Sequence, residues 1–430
     1  MNKILKTSYF ICMFAVCTVL VFANGKGENV SGDGPVKIKY YTWTDAAHKP
    51  LVDAFNASQN EIFVEAEYVP SADYEVKILT LLSGKAEIDA YMQKRQADMF
   101  PHWTNGFIEP LDAYFKKTGL SKDAVETYPQ AVTVDGKIIA VPWRGTSAFT
   151  YYNKKVFEKA GVPTPDTYVK EGTWTWEKFA EVSEKLAKSG AVGSSIYFWA
   201  SCIFYRSAQY EQDIITRDGK IQLDNSVLDH LKMRKALEAK KAMWPLIDMK
   251  VTKTHYSKQF YDGNLGMLLI GEWFPGQMIT GKNDKLLKNF NWEDYGITRL
   301  PCNVNVYHTW GIPTFNHVVS YSKKKEAAFR FIQWMSGPDA RKIAASYGVL
   351  PAVVDDNVKS ILAKNIPDAQ SLEYFLEPRI IYPSNFSKYG SRAEMLLDSI
   401  QEEYLLGKIP DSELNSRIKK GLEEIIKTTD

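Results

Sequence analysis

Between Val36 and Met92 the chain changes its hydrophobic period four times. Val36, Ile38, Tyr40 and Thr42 alternate as one face of a strand, and a helical stretch follows over Lys49–Gln59. Ile62, Val64, Ala66 and Tyr68 alternate again. Tyr74, Ile78 and Leu81/Leu82 then share a helical stripe, with Ser71 or Asp73 ahead of it and Gly84 stopping it. A short strand at Ile88–Met92 completes the order β-α-β-α-β, which dictates a mostly parallel sheet covered by helices.

The rest of the chain extends this pattern without an internal repeat. Val132–Val134, Asp135-Gly136 and Lys137–Pro142 read as a hairpin, and Thr150–Asn153 as a strand leading into a helix that Gly161 closes. Thr175 caps a helix whose buried face is Phe179, Val182 and Leu186, and Leu265–Ile270 is an apolar strand. Helices are expected at Glu326–Met335, from Pro338 to Gly348, and at Ser391–Leu405 and Asp411–Ile426. At 430 residues the chain is long enough for two or three domains.

Residues 1–23 read as a secretory leader. Lys3 and Lys6 precede an apolar run from Tyr9 to Phe22, and Val21 and Ala23 stand three and one positions before a cut. Asn24–Pro35 is then a Gly-rich tail, which could tether the protein to a membrane or simply trail. Cleavage turns the formal charge of +2 into zero, which leaves no concentrated cationic field for nucleic acid. Cys202 and Cys302 alone remain in the mature chain, so this is no disulfide scaffold; two free thiols are expected in preference to a bridge. No P-loop, zinc-ligand spacing or nucleophile elbow is present, and the six histidines are scattered, which reads as surface or structural use. The neighbouring Tyr151 and Tyr152 lie in a strand, where alternation sends their phenols to opposite faces and away from a shared metal.

Several passages, in order, resemble the extracellular solute-binding proteins that deliver sugars to ABC importers, the maltose-binding-like group. They are Lys137-Ile-Ile-Ala-Val-Pro-Trp143 with Thr150-Tyr-Tyr-Asn-Lys-Lys-Val-Phe-Glu-Lys-Ala-Gly161, Thr173-Trp-Thr-Trp-Glu-Lys-Phe179, Phe260-Tyr-Asp-Gly-Asn-Leu-Gly-Met-Leu-Leu-Ile-Gly-Glu-Trp273, and Lys325-Glu-Ala-Ala-Phe-Arg-Phe-Ile-Gln-Trp-Met335 with Gly348-Val-Leu-Pro351. The resemblance implies two α/β lobes of the type II periplasmic-binding-protein kind, with a ligand cleft and hinge between them. It places residues 36–145 plus 272–325 in lobe 1 and 146–271 plus 326–430 in lobe 2, with crossings near Trp143, Gly271 and the Glu326 helix. It also implies a monomer that captures a solute outside the cytoplasmic membrane and hands it to permease subunits, without catalysis, cofactor or metal.

The aromatic content, 11 Trp, 24 Tyr and 21 Phe, then acquires a use. Flat rings can stack on the C–H face of a pyranose while carboxylates, amides and arginine bond its hydroxyls. Ligands of open α/β sheets collect beyond the carboxyl ends of the strands. Trp43, Asp45, Gln93, Trp143, Arg144, Glu272 and Trp273 all sit at such ends or at expected crossings. Trp199 and Tyr205 lie in an aromatic cluster, and Trp310 precedes Gly311, where a backbone can approach a ligand. These ten are the candidate ligand-binding residues, whereas Trp174, Trp176 and Trp334 belong to helix stripes or starts. A carbohydrate is the expected solute. The competing readings are a secreted carbohydrate hydrolase or lyase, with Glu272 as a carboxylate, and a non-sugar solute on the same fold.

Overall fold

The structure is a computed structural model describing residues 34–145, 147–305, 307–311, 314–377, 380–382 and 386–429. The expected leader 1–23, and the tail from 24 to 33, lie outside the described residues. Nine strands build two sheets: β1 (Val36–Trp43), β2 (Ile62–Val69), β3 (Ala90–Gln93), β4 (Val141–Arg144), β5 (Ala148–Asn153), β6 (Val192–Ile196), β7 (Leu265–Gly271), β8 (Tyr295–Thr298) and β9 (Thr314–Val318).

The first sheet has the order β2-β1-β3-β9-β4. Its β1 pairs β2 and β3 in parallel, as the opening alternation requires, while β9 runs antiparallel to β3 and β4. Helices cover it: Phe331 of Lys325–Trp334 meets Tyr40 edge-on at 4.9 Å and Phe55 at 5.1 Å. The second sheet has the order β8-β5-β7-β6. Its central β7, Leu-Gly-Met-Leu-Leu-Ile-Gly, is buried along its whole length because both faces carry core. Met267 and Leu269 enter one cluster, and Leu268 and Ile270 the other. Tyr151 and Tyr152 follow the same alternation, into opposite clusters. Tyr151 donates to the Gly271 carbonyl and Tyr152 to Asp166.

Each sheet with its helices is one lobe, and the chain passes between lobes by a route different from the expected one at two places. It leaves the first sheet where expected, between Arg144 and Ala148. It does not return at Gly271: Phe274 and Met278 are wholly buried in the second lobe, and Tyr295–Thr298 pairs β5, so 272–298 cannot leave. The helix Lys325–Trp334 likewise belongs to the first lobe and not the second, because Ala328, Phe329, Phe331 and Ile332 are buried in the first core. The chain crosses again around Leu350, which packs in the second lobe, although Phe386 still reaches back into the first core.

The first and last crossings lie side by side. The Gly145 amide donates to Leu350 O at 3.2 Å and the Ala352 amide to Trp143 O at 3.1 Å. A Cβ on Gly145 would sit 2.1 Å from the Tyr128 hydroxyl, so a side chain there would have to push that phenol aside. The hairpin also forms, with Asp135 and Gly136 both at positive φ, but its strands shrink to Thr133–Val134 and Lys137–Ile138 before β4 joins the sheet. Cys202 and Cys302 are free thiols, as expected.

Candidate functional site

The carboxyl edges of the two sheets meet at Arg144, the last residue of β4. Its side chain is buried, and three indole rings surround its guanidinium: Trp143 at 5.3 Å, Trp43 at 5.7 Å and Trp273 at 5.7 Å from ring centroid to Cζ. Trp43 ends β1 in the first lobe, whereas Trp273 follows β7 in the second, so one cation bridges the aromatic surfaces of both lobes. Arg144 Nε donates to Thr314 Oγ1 at 3.1 Å and lies 3.4 Å from Glu272 Oε1. Its Nη1 lies 3.9 Å from Asp45 Oδ2 and has no hydrogen-bond partner.

Asp45 caps the turn after β1, accepting from the Ala47 amide at 3.0 Å. Burial works against its charge, but His48 and Arg144 outweigh that cost and hold the carboxyl below its ordinary range. His48 itself is wholly buried, and desolvation lowers its pKa although Asp45 opposes the shift. Its Nδ1 lies 2.7 Å from Trp43 O and 2.9 Å from Thr42 Oγ1, and its ring meets Trp43 and Trp143 edge-on. His48 therefore fixes both indoles from behind.

The second lobe's contribution is a ring cluster. Trp199 stands 5.7 Å from Trp273 and 5.7 Å from Tyr256, and Tyr197 packs on Tyr256 at 4.9 Å. The Tyr256 hydroxyl accepts from Trp273 Nε1 at 2.8 Å and from Gln277 Nε2 at 2.7 Å. Desolvation raises the pKa of Tyr256 well above the ordinary phenol range and that of Tyr197 to about 12, so both stay neutral. These rings lock one another in place and present apolar surface.

The first lobe's edge, in contrast, carries unfilled hydrogen-bonding capacity. Gln93 ends β3, opposite Phe315, whose neighbour Thr314 faces Arg144, so the register sets Gln93 at the same edge. Its amide donates to Arg95 O at 3.0 Å but Oε1 has no partner. Both ends of the buried Gln96 amide, and Trp143 Nε1, are also without hydrogen-bond partners. Native interiors seldom leave such groups unpaired, so water or a bound solute is needed to satisfy them.

The expected site residues thus divide. Trp43, Asp45, Trp143, Arg144, Glu272 and Trp273 converge, Trp199 joins through Trp273, and Gln93 stands along the same edge. Tyr205 and Trp310 do not reach it. They face each other at 5.3 Å inside the second lobe's core, where the 3₁₀ turn Ala200–Tyr205 turns inward and Cys202 Sγ donates to the Tyr205 hydroxyl. Sequence reasoning missed Tyr256, His48 and Thr314. The signal available was position: Thr314 opens the strand beside β4, and Tyr256 starts a helix after the His255 cap. Among the described residues no group of His, Cys, Asp and Glu is placed to hold a metal ion.

This architecture matches a known one: residues 42–342 fit the model of the bacterial extracellular solute-binding proteins. The chain belongs to that family. A putative binding protein of Brucella abortus is 24% identical over 401 residues, spanning 89% of this chain and 90% of that one. The sn-glycerol-3-phosphate-binding periplasmic protein of Yersinia enterocolitica is 26% identical over 191 residues, 42% of each chain. Among solved structures, a Rhizobium etli sugar transporter in an open conformation superposes with TM-score 0.73 at 25% identity, covering 90% of this chain and 99% of its own. A Listeria monocytogenes ABC substrate-binding protein in complex with cycloalternan gives TM-score 0.74 at 22% identity, over 92% and 99%. The residues matched to the family span both lobes and contain the whole Arg144 cluster.

Proposed function

We propose that this solute-binding protein is the capture component of an ABC importer for a mono- or oligosaccharide, working outside the cytoplasmic membrane and passing its ligand to permease subunits. The observation that carries this reading is the pairing of Trp43 and Trp273, one from each lobe, around Arg144, beside an edge of unpaired amides. Lobe closure on a pyranose would cover its apolar face with indole and engage its hydroxyls with Asp45, Gln93, Arg144 and Glu272. Solved relatives with bound cycloalternan and with bound α-D-tagatose support the carbohydrate class. The role is recognition without turnover, performed by a monomer that needs no cofactor.

Isothermal titration of the mature protein with a panel of mono- and oligosaccharides tests this. One-to-one binding is expected, with the sugar recovered unaltered and the melting temperature raised by ligand linkage. Conversion of the sugar would favour the hydrolase reading, and binding of peptides or polyamines in place of any sugar would end the carbohydrate assignment.

A further inference from the structure

The lobes also touch at a second seam, apart from the crossings and from the Arg144 cluster. Arg95, two residues past the end of β3, pairs at 2.8 Å with Glu394, which is buried on the second-lobe helix Gly390–Leu405. Three residues further on, Asp98 accepts from Ser391 Oγ of the same helix at 3.2 Å. Phe100 then meets Phe386 edge-on at 5.1 Å. Arg217, from the second lobe, lies 4.8 Å from the Phe386 ring centroid and donates to Gln130 O in the first lobe at 3.4 Å. An ion pair, a hydroxyl contact and a ring contact thus follow one another across the groove between the lobes. On one side of this row, the sheet edge from Arg95 to Arg144 is two strand spacings wide, ~10 Å, and carries Gln93 with its unpaired Oε1. On the other side the groove opens again, with a volume of about 550 Å³ beside Gln130, Asp135, Arg217 and Phe386.

We propose that this seam is the end wall of the sugar site, confining the ligand to the short edge between Arg95 and Arg144, so that the protein selects mono- and disaccharides and turns longer chains away. A longer chain has somewhere to go only beyond the wall, in the groove that Phe386 and Arg217 line from its outer side. To reach it, the chain must part Arg95 from Glu394. That strands a buried carboxylate without its cation, a cost that a few sugar hydroxyls do not recover. The wall draws its residues from both lobes, so it is complete only while they are together, when a ligand is held. The inference rests on the carbohydrate reading above and narrows it to ligand length.

The test is titration calorimetry of the mature protein with malto-, cello- and xylo-oligosaccharides, each series running from the monosaccharide to the pentasaccharide. The expected result is binding of a mono- or disaccharide from at least one series, with the trisaccharide and longer members of that series ~100-fold weaker or more. The double variant Arg95→Ala with Glu394→Ala removes both charges together and should bring the longer members to within about tenfold of the short one. Arg217→Ala, at an exposed position, should narrow the gap in the same direction and keeps the test available where the double variant fails to fold. A merely structural role for the ion pair would weaken all lengths alike. A trisaccharide or longer chain that binds the parent protein within about tenfold of the best short sugar overturns the end wall and leaves the carbohydrate reading intact. So does a length gap that neither variant narrows. Binding of no sugar in any series overturns both.

Discussion

The two walls of the site solve opposite problems. On the second-lobe wall, Trp273 Nε1 and Gln277 Nε2 both donate to the Tyr256 hydroxyl, leaving Gln277 Oε1 without a partner, and Trp199 and Tyr197 close the cluster by ring contact. On the first-lobe wall, Gln93, Gln96, Trp143 and Arg144 keep buried donors and acceptors without hydrogen-bond partners. A wall built mainly of interlocked rings offers shape and apolar area and responds little to which hydroxyl faces it. A wall with open groups is costly to bury empty and reads the hydroxyl pattern. The difference assigns grip to one lobe and discrimination to the other.

Removing the group that joins the walls should have the largest effect. Arg144→Ala leaves Glu272 buried beside a missing cation, and an unfolding free energy lower by ~3–5 kcal/mol is expected in urea denaturation, with ligand binding lost as well. Trp273→Ala attacks the gripping wall. It should weaken every bound sugar by roughly 2 kcal/mol, about thirtyfold, with little change in the ranking of sugars, as read by calorimetry. If the ranking changes as much as the affinity, the division of labour between the walls is wrong. Gln93→Leu attacks the reading wall. An affinity loss of ~1–3 kcal/mol is expected for one sugar epimer and not for another, with unfolding free energy unchanged or slightly raised because an unpaired buried oxygen has gone.

The smallest effect is the pH response of Asp45. Its folded carboxyl titrates below its unfolded value, so the stability it contributes is fully present above the unfolded pKa of ~3.9 and is lost as pH falls through the folded pKa. Asp45→Asn should therefore lower the melting temperature at pH 7, and the gap to the parent protein should close only below about pH 4. A gap that stays constant down to acid pH would show that the charge on Asp45 plays no part.

Much of this was legible in the residues, for reasons that also explain what was not. Trp43, Gln93 and Arg144 could be placed because they end strands whose period-2 alternation is plain, and strand ends of such sheets face the ligand. The route of the chain was harder. Lys325–Trp334 shows a clear helical stripe, but a stripe says that a helix buries a face and not which of two cores receives it. Tyr295–Thr298 is only four residues long, and nothing local announces that it will pair β5 across the expected boundary. Tyr205 and Trp310 failed as site residues for the same reason, since composition alone cannot show whether a ring in an aromatic cluster points to the cleft or to the core. Tyr256 escaped notice because its importance lies in holding Trp273, a contact made over seventeen positions of sequence and visible only in three dimensions.

The paired crossings at Trp143–Gly145 and Leu350–Ala352 have a mechanical consequence. Two extended segments joined edge to edge by backbone hydrogen bonds form a flat ribbon, easy to bend across its face and stiff against shear in its own plane. Gly145 lets that ribbon run close against the Tyr128 hydroxyl. A joint of this kind has one soft direction. The lobes would swing about a single axis like a door on a strip hinge, and Arg144, in the middle of one segment of the strip and bridged to Pro351, sits where the two walls meet.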